Sequence, residues 1–172
     1  MGEDAIMKKI LIIYYSKTKN TETVAKTLAD ELSAETVEIK DLKNRYGFLS
    51  NIGSIIDAIR ENKTRIEPET IDLTGYDLLY MGSPTWAGKP APAIITIIDN
   101  LKLKGKDVIL FATMGRQGGS NVIDRMAEKI KARGGRIINS FTIKTGGKQF
   151  NEIKEDTLKV IAEKDLKIYS IG

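Results

Sequence analysis

The sequence of 172 residues contains no cysteine and no histidine. Without cysteine there can be no disulfide, thiolate metal site, iron–sulfur cluster or cysteine nucleophile. Without histidine, Ser-His-Asp catalysis, zinc hydrolysis and imidazole acid–base chemistry are excluded in their usual forms. Demanding chemistry in this chain would therefore depend on a bound cofactor.

Long apolar runs are also missing. Uncharged stretches reach eleven residues, for example residues 78–88, whereas a membrane span needs about 20 apolar residues. Residues 1–9 lack the pattern of a secretory signal, because two acidic residues precede Lys8 and Lys9 and no apolar segment ends in small residues. We therefore expect a soluble, cytoplasmic protein without membrane insertion.

The charge is unevenly distributed. The chain carries a net charge of +4, with −3 in residues 1–86 and +7 in residues 87–172. The basic side chains are spread along stretches such as residues 125–136 and are not set among aromatics, which favours a solvated surface over a nucleic-acid site. Length and an apolar content of 41% predict one globular domain over residues 1–172.

Five short apolar runs alternate with five amphipathic segments. Continuous apolar runs are typical of strands buried on both faces, and the segments between them have helical spacing. This alternation predicts an α/β protein with an open, doubly wound parallel sheet, whose ligands bind at the carboxyl ends of the strands. The predicted strands are residues 10–15, 36–39, 78–81, 108–112 and 137–143. The predicted helices contain Val24, Leu28 and Leu32; Ile52, Ile55, Ile56 and Ile59; Ile94, Ile95, Ile98 and Leu101; Val122, Ile123, Met126 and Ile130; and Ile153, Thr157, Val160 and Ile161.

The segment after the first strand, residues 16–21, reads S-K-T-K-N-T and leads directly into a helix. Its hydroxyl, amide and lysine side chains lie at a helix N-terminus, where free N–H groups favour an anion such as phosphate. It matches neither the nucleoside-triphosphate loop nor the dinucleotide-binding motif. The alternative is ordinary helix capping by Thr18 or Asn20.

Two further segments follow the third and fourth predicted strands. Residues 82–90, predicted as a loop, contain the only tryptophan, Trp86, which could lie flat on a planar aromatic ligand or pack beneath its own loop. Residues 112–121 contain Gly115, Gly118 and Gly119, which would let the backbone approach a ligand or would only form a turn before a helix.

Together the three segments resemble those of the flavodoxin family, and the resemblance extends over residues 8–163. It implies a flavodoxin-like, five-stranded parallel sheet in the order 2-1-3-4-5, with helices on both faces, of the short-chain type. It also implies one non-covalently bound flavin mononucleotide (FMN), with its phosphate on the first segment and its ring between the other two. The resemblance assigns to FMN binding Ser16, Thr18, Lys19, Asn20, Thr21, Ser83, Pro84, Thr85, Trp86, Ala87, Gly88, Thr113, Met114, Gly115, Arg116, Gly118 and Gly119.

Three features depart from the family pattern. Lys19 stands where the phosphate loop usually has glycine, and Arg116 with its neighbouring glycines replaces an acidic residue and an aromatic that covers the second ring face. The whole chain is basic, whereas flavodoxins are typically acidic. We expect these features to affect the redox potentials of the flavin and the identity of the redox partners rather than flavin binding.

The resemblance favours a flavodoxin-type electron carrier between redox proteins, a monomer or weak dimer with no catalytic side chain and no metal. The alternative is an NAD(P)H-dependent quinone or flavin reductase of the same superfamily. In that case Arg116 and Lys89 would receive a phosphate or an anionic substrate. A phospho-receiver regulator is disfavoured, because Gly82 and Ser83 stand where such a protein needs an aspartate.

Overall fold

A parallel sheet forms the centre of the structure, a computed structural model that describes residues 6–45 and 64–172. In chain order the strands are β1 (Ile10–Tyr14), β2 (Glu35–Glu38), β3 (Lys40–Asp41), β4 (Ile66–Glu67), β5 (Leu78–Trp86), β6 (Lys89–Pro90), β7 (Asp107–Met114) and β8 (Arg136–Lys144). The parallel strands follow the order β2-β1-β5-β7-β8. This is the predicted order 2-1-3-4-5 once the three two-residue strands are set aside.

In the described residues, four α-helices cover the two faces of the sheet: α1 (Asn20–Leu32), α2 (Pro92–Asn100), α3 (Gly119–Ala132) and α4 (Phe150–Glu163). Short 3₁₀ turns occupy Leu42–Arg45 and Leu166–Ser170. Among the described helices, none is long and apolar enough to cross a membrane.

The two sides of the sheet form two separate cores. Leu28 of α1 and Ile153 of α4 pack on one face with Ile12, whereas Ile97 of α2 and Met126 of α3 pack on the other. Fully burying an aliphatic side chain of this kind contributes about 1.5–3 kcal/mol relative to leaving it exposed. The helices α1 and α4 are therefore neighbours on one face, and both begin at the carboxyl edge of the sheet.

The five predicted strands and four of the five predicted helices are present. The helix predicted around Ile52–Ile59 lies outside the described residues. The predicted strand 36–39 is the exposed edge strand β2, and its most buried member, Ile39, follows the strand.

The prediction that residues 82–90 form a loop is wrong for most of that segment. Strand β5 continues to Trp86, because its parallel pairing with β7 extends to Pro84 and a two-residue turn then pairs Thr85 and Trp86 with β6. Ala87 and Gly88 form this turn with positive φ angles of 50° and 74°. Similarly, Thr113 and Met114 end β7, and Gly119 begins α3.

Gly82 lies in the middle of β5, where the Phe111 ring leaves no space for a side chain. A Cβ atom there would lie 2.0 Å from Cζ of Phe111, which is fully buried. We expect Gly82→Ala to lower the free energy of unfolding by roughly 2–4 kcal/mol, since such overpacking forces side chains and backbone to shift. Urea unfolding measures this loss.

The matched control is Gly115→Ala, because a Cβ atom at Gly115 meets no heavy atom of the described residues within 4 Å. It should leave the unfolding midpoint nearly unchanged. Equal midpoints for the two variants would contradict the packing argument.

Candidate functional site

The strands β1, β5, β7 and β8 are parallel, so the segments that follow them meet at one edge of the sheet. They enclose a cleft of about 420 Å³ lined by Thr18, Asn20, Pro84, Thr85, Trp86, Thr113, Met114, Gly115, Thr145, Gly146, Gly147 and Lys148. An adjoining cleft of about 570 Å³ shares Thr85 and is lined further by Ala87, Gly88, Gln117, Gly118, Ser120 and Asn121. The three predicted segments therefore come together, and a fourth segment joins them.

The first turn of α1 is open at its N-terminus. The N-cap residue is Lys19, and no side chain among the described residues makes a capping hydrogen bond. Neither Thr18 nor Asn20 acts as a cap, so the capping alternative does not explain why these residues are polar. Lys19 has a left-handed φ of 67°, the conformation for which glycine is usually chosen. The free N–H groups of the first turn, together with the helix dipole, favour an anion at this point.

Thr21 has a structural contact that its sequence position does not reveal. Its hydroxyl oxygen lies 2.7 Å from that of Thr113, and the two residues are only 1% and 3% exposed. This hydrogen bond joins the start of α1 to the end of β7. Only one of the two hydroxyl hydrogens is used by the pair, so one remains available for another acceptor.

Two buried hydroxyl oxygens near the cleft have no hydrogen-bond partner in the described structure: Ser16 Oγ and Thr85 Oγ1. A buried hydroxyl without a partner costs about 1–3 kcal/mol. One follows β1 and the other lines both clefts, so a polar ligand seated here could satisfy both. The third such atom, Tyr80 Oη, lies in the core. The residues at this edge therefore fit a ligand that carries several hydrogen-bonding groups.

Trp86 lines the cleft and also contacts neighbouring side chains. Its ring meets that of Tyr15 edge to face, with centroids 5.5 Å apart and an interplanar angle of 88°, and the Lys17 ammonium lies 5.5 Å from the indole centroid. The side chain is partly buried against the core formed with α2 and α3. Trp86 thus packs against neighbouring side chains and also borders the cleft.

The glycines after β7 allow two segments to approach closely. A Cβ atom at Gly118 would lie 3.2 Å from Thr85 Cγ2 and 3.3 Å from the Cα atom of Gly88. At Gly119 it would lie 2.9 Å from both Met114 Sδ and Thr142 Cγ2. Gly115 has open space around it. Gly118 therefore lets the end of β5 and its turn approach the start of α3, and Gly119 lets the start of α3 approach the ends of β7 and β8.

The fourth segment, Thr145 to Lys148, was assigned no site residue from the sequence. The backbone N–H groups of Thr145 and Gly146 donate to the carbonyls of Met114 (2.8 Å) and Gly115 (3.2 Å). The Lys148 ammonium forms an ion pair with Asp156, and this hydrogen bond lowers the pKa of the Asp156 carboxyl below its usual value. The T-G-G-K sequence after a predicted strand was the available signal, because glycines in that position permit a close backbone approach.

The opening of the site is positively charged. The four segments, residues 15–19, 84–91, 115–118 and 145–149, contain no aspartate or glutamate and carry Lys17, Lys19, Lys89, Arg116 and Lys148. Arg116 is exposed. Within the part of the chain that the structure describes, no group of three or more acidic side chains could hold a metal ion.

Comparisons with known proteins agree with this geometry. The model of the flavodoxin family matches residues 9–164. A flavodoxin of Nostoc is 26% identical over 86% of this chain and 76% of its own length, and an uncharacterized protein of Methanocaldococcus jannaschii is 28% identical over 90% and 94%. The crystal structure of a flavoprotein in complex with FMN from Lactobacillus acidophilus superposes with a TM-score of 0.67 at 29% identity, covering 78% of this chain and 93% of that one. With the strand order and the four converging segments, these matches support a flavin cofactor and show that the chain belongs to the flavodoxin family.

Proposed function

We propose that this protein binds one FMN at the carboxyl edge of the sheet and carries electrons between redox proteins. The observation that carries this proposal is the pair of partnerless buried hydroxyls, Ser16 Oγ and Thr85 Oγ1, in the segments that border the cleft. The flavoprotein of Lactobacillus acidophilus with bound FMN supports the choice of cofactor. The flavodoxin of Nostoc supports the choice of function.

In this proposal the phosphate lies at the open N-terminus of α1. Ser16, Thr18 and Asn20 donate to it from side chains, together with the N–H groups of the first helical turn. Thr21 acts indirectly, because its hydrogen bond to Thr113 holds this turn against the end of β7. The site binds the phosphate mainly through neutral donors, with lysines at its margin.

The flavin ring lies between the end of β5, residues 85–88, and the end of β7 with its following turn, residues 114–119. Trp86 supplies an aromatic surface held by Tyr15. Gly88 and Gly118 let the two ring-flanking segments approach each other closely. The remaining unpaired hydroxyl, Thr85 Oγ1, donates to a polar atom of the cofactor.

The bound flavin would accept electrons and pass them on. The chain itself contributes binding and an electrostatic field, because none of the described side chains that line the two clefts has the chemistry of a general acid or base near neutral pH. The positive opening favours redox partners with acidic contact surfaces. We further propose that the protein acts in the cytoplasm as a monomer or weak dimer.

The alternative function is a reductase that takes hydride from NADH or NADPH. The exposed Arg116 and the partly exposed Lys89, in the two proposed ring-flanking segments, are the observation that favours it, since they could bind a nucleotide phosphate. The test mixes the FMN-loaded protein with NADPH in the absence of air and follows the flavin absorbance. A carrier stays oxidised until a separate reductase is added, whereas prompt bleaching by NADPH alone would support the reductase and overturn the carrier.

Arg116 should raise the potential at which the second electron enters. Full reduction leaves negative charge on the flavin ring, and two unit charges about 7 Å apart at an effective dielectric of about 20 interact by roughly 2 kcal/mol before salt screening. We expect Arg116→Glu to lower the potential of the second one-electron couple by on the order of 50 mV at low salt. Potentiometry with mediator dyes measures it.

Lys131→Glu is the control, because it makes the same change in net charge in the last turn of α3, at the opposite end from the site. Its effect on the potential should be small. If both variants shift the potential equally, or neither does, Arg116 does not act on the flavin ring.

A further inference from the structure

We propose that Lys148, in the segment after β8, binds the cofactor phosphate through its cationic side chain. This inference rests on the proposed function and extends it beyond the three segments predicted from the sequence. Lys148 shares the cleft with Thr18 and Asn20, the residues at the start of α1 that we assign to the phosphate. An ammonium group at this position adds a charge to a site otherwise built from neutral donors.

The segment that carries Lys148 has a defined position. The N–H groups of Thr145 and Gly146 donate to the backbone at the end of β7, and the Thr145 hydroxyl donates to the Met114 carbonyl at 3.2 Å. A Cβ atom at Gly146 would lie 2.5 Å from the Gly115 carbonyl oxygen, so only glycine permits this approach. The segment after β8 is therefore held against the ring-flanking turn after β7.

The helix that follows begins in an equally defined way. Gln149 is the N-cap of α4, and its backbone N–H donates to the Glu152 carboxylate at 2.7 Å within a capping box. The helices α1 and α4 pack on the same face of the sheet and begin at the same edge, and Lys148 lines the same cleft as Thr18 and Asn20 at the start of α1. The Glu152 carboxylate is therefore already hydrogen-bonded in the capping box, which fixes the residue at which α4 begins.

The ion pair with Asp156 orients the ammonium without cancelling the local charge. Asp156 Oδ2 contacts Lys148, and Asp156 Oδ1 lies 3.7 Å from Lys159 Nζ. One carboxylate is thus shared by two ammonium groups. The Lys148 side chain is 33% exposed, which leaves part of it open to a ligand in the cleft. We therefore assign Asp156 as a positioning residue for Lys148.

The test compares FMN with riboflavin, which has the same ring and no phosphate. Apoprotein is titrated with each, and the dissociation constants are read from flavin fluorescence. We expect Lys148→Gln to weaken FMN binding about tenfold at low salt and to change riboflavin binding less than about twofold. Lys148→Arg should restore most of the affinity for FMN, because it keeps the charge. Lys154→Gln, an exposed position on α4 outside the cleft, is the matched control and should change neither constant.

Each outcome decides the inference. A selective loss for FMN that shrinks in 0.5 M KCl supports it. An equal loss for both ligands, or no loss, overturns it and leaves the proposed function intact, provided the parent protein prefers FMN. If the parent binds FMN no better than riboflavin, the phosphate site itself is wrong and the inference fails with it. Thermal unfolding of each variant shows whether it is still folded. If Lys148→Gln is unfolded, Lys148→Arg is compared with the parent protein instead.

Discussion

The apoprotein is expected to bind FMN at least about a hundredfold more tightly than riboflavin. Hydrogen bonds to a charged acceptor are each worth about 1.5–3 kcal/mol, and a tenfold change in affinity corresponds to about 1.4 kcal/mol. Two such bonds at the open start of α1 already account for this preference. Isothermal titration of the apoprotein with each ligand, at the same salt concentration, measures it.

The preference should depend on the side chains that line the cleft. The double variant Thr18→Ala with Asn20→Ala should lose most of the FMN affinity and little of the riboflavin affinity. Thr36→Ala, on the exposed edge strand β2, is the control. Thr21 is not used in this test, because replacing it would also break its buried hydrogen bond with Thr113. Similar constants for FMN and riboflavin in the parent protein would remove the phosphate assignment.

Binding of a flavin is expected to quench the tryptophan fluorescence almost completely. Trp86 is the only tryptophan of the chain, and it borders the cleft in contact with the Tyr15 ring. A flavin ring stacked on the indole would quench its emission by close contact. Emission is recorded while the apoprotein is titrated with FMN.

Two controls separate stacking from other causes of quenching. Riboflavin at saturation should quench Trp86 as fully as FMN, because both have the same ring, whereas inorganic phosphate should leave the emission unchanged. Bright emission at saturating FMN would mean that the ring lies elsewhere. Trp86 would then be a packing residue beside Tyr15 and Lys17.

Much of the fold could be predicted because the signals are local. The apolar runs of β1, β7 and β8 and the periodicity of α1, α2, α3 and α4 lie within short windows, and each matches the structure to within a few residues. Strand β5 was predicted to end early, since Gly82, Ser83 and Pro84 are residues typical of turns. There the parallel pairing with β7, and the space that Phe111 requires next to Gly82, outweigh local preference.

Site residues could be predicted where they form a pattern within one short stretch of sequence. They could not be predicted where their role depends on contact with a residue far away in the sequence. The polar run at residues 16–21 and the glycines after β7 are visible in the sequence. The hydrogen bond between Thr21 and Thr113 joins residues 92 positions apart, and the contact of Thr145 with Met114 spans 31 positions. No local spacing encodes such pairs, so the sequence indicates the segment after β8 only through its T-G-G-K pattern and does not show which residues it contacts.

The most direct test of the account is stepwise reduction of the purified protein, loaded with FMN, in the absence of air. Dithionite is added in small portions while the visible spectrum is recorded. We expect one FMN per chain and two separate one-electron steps, with a spectrum between them that belongs to neither the oxidised nor the fully reduced flavin. A protein that retains no FMN, or that takes up both electrons in a single step, would contradict it.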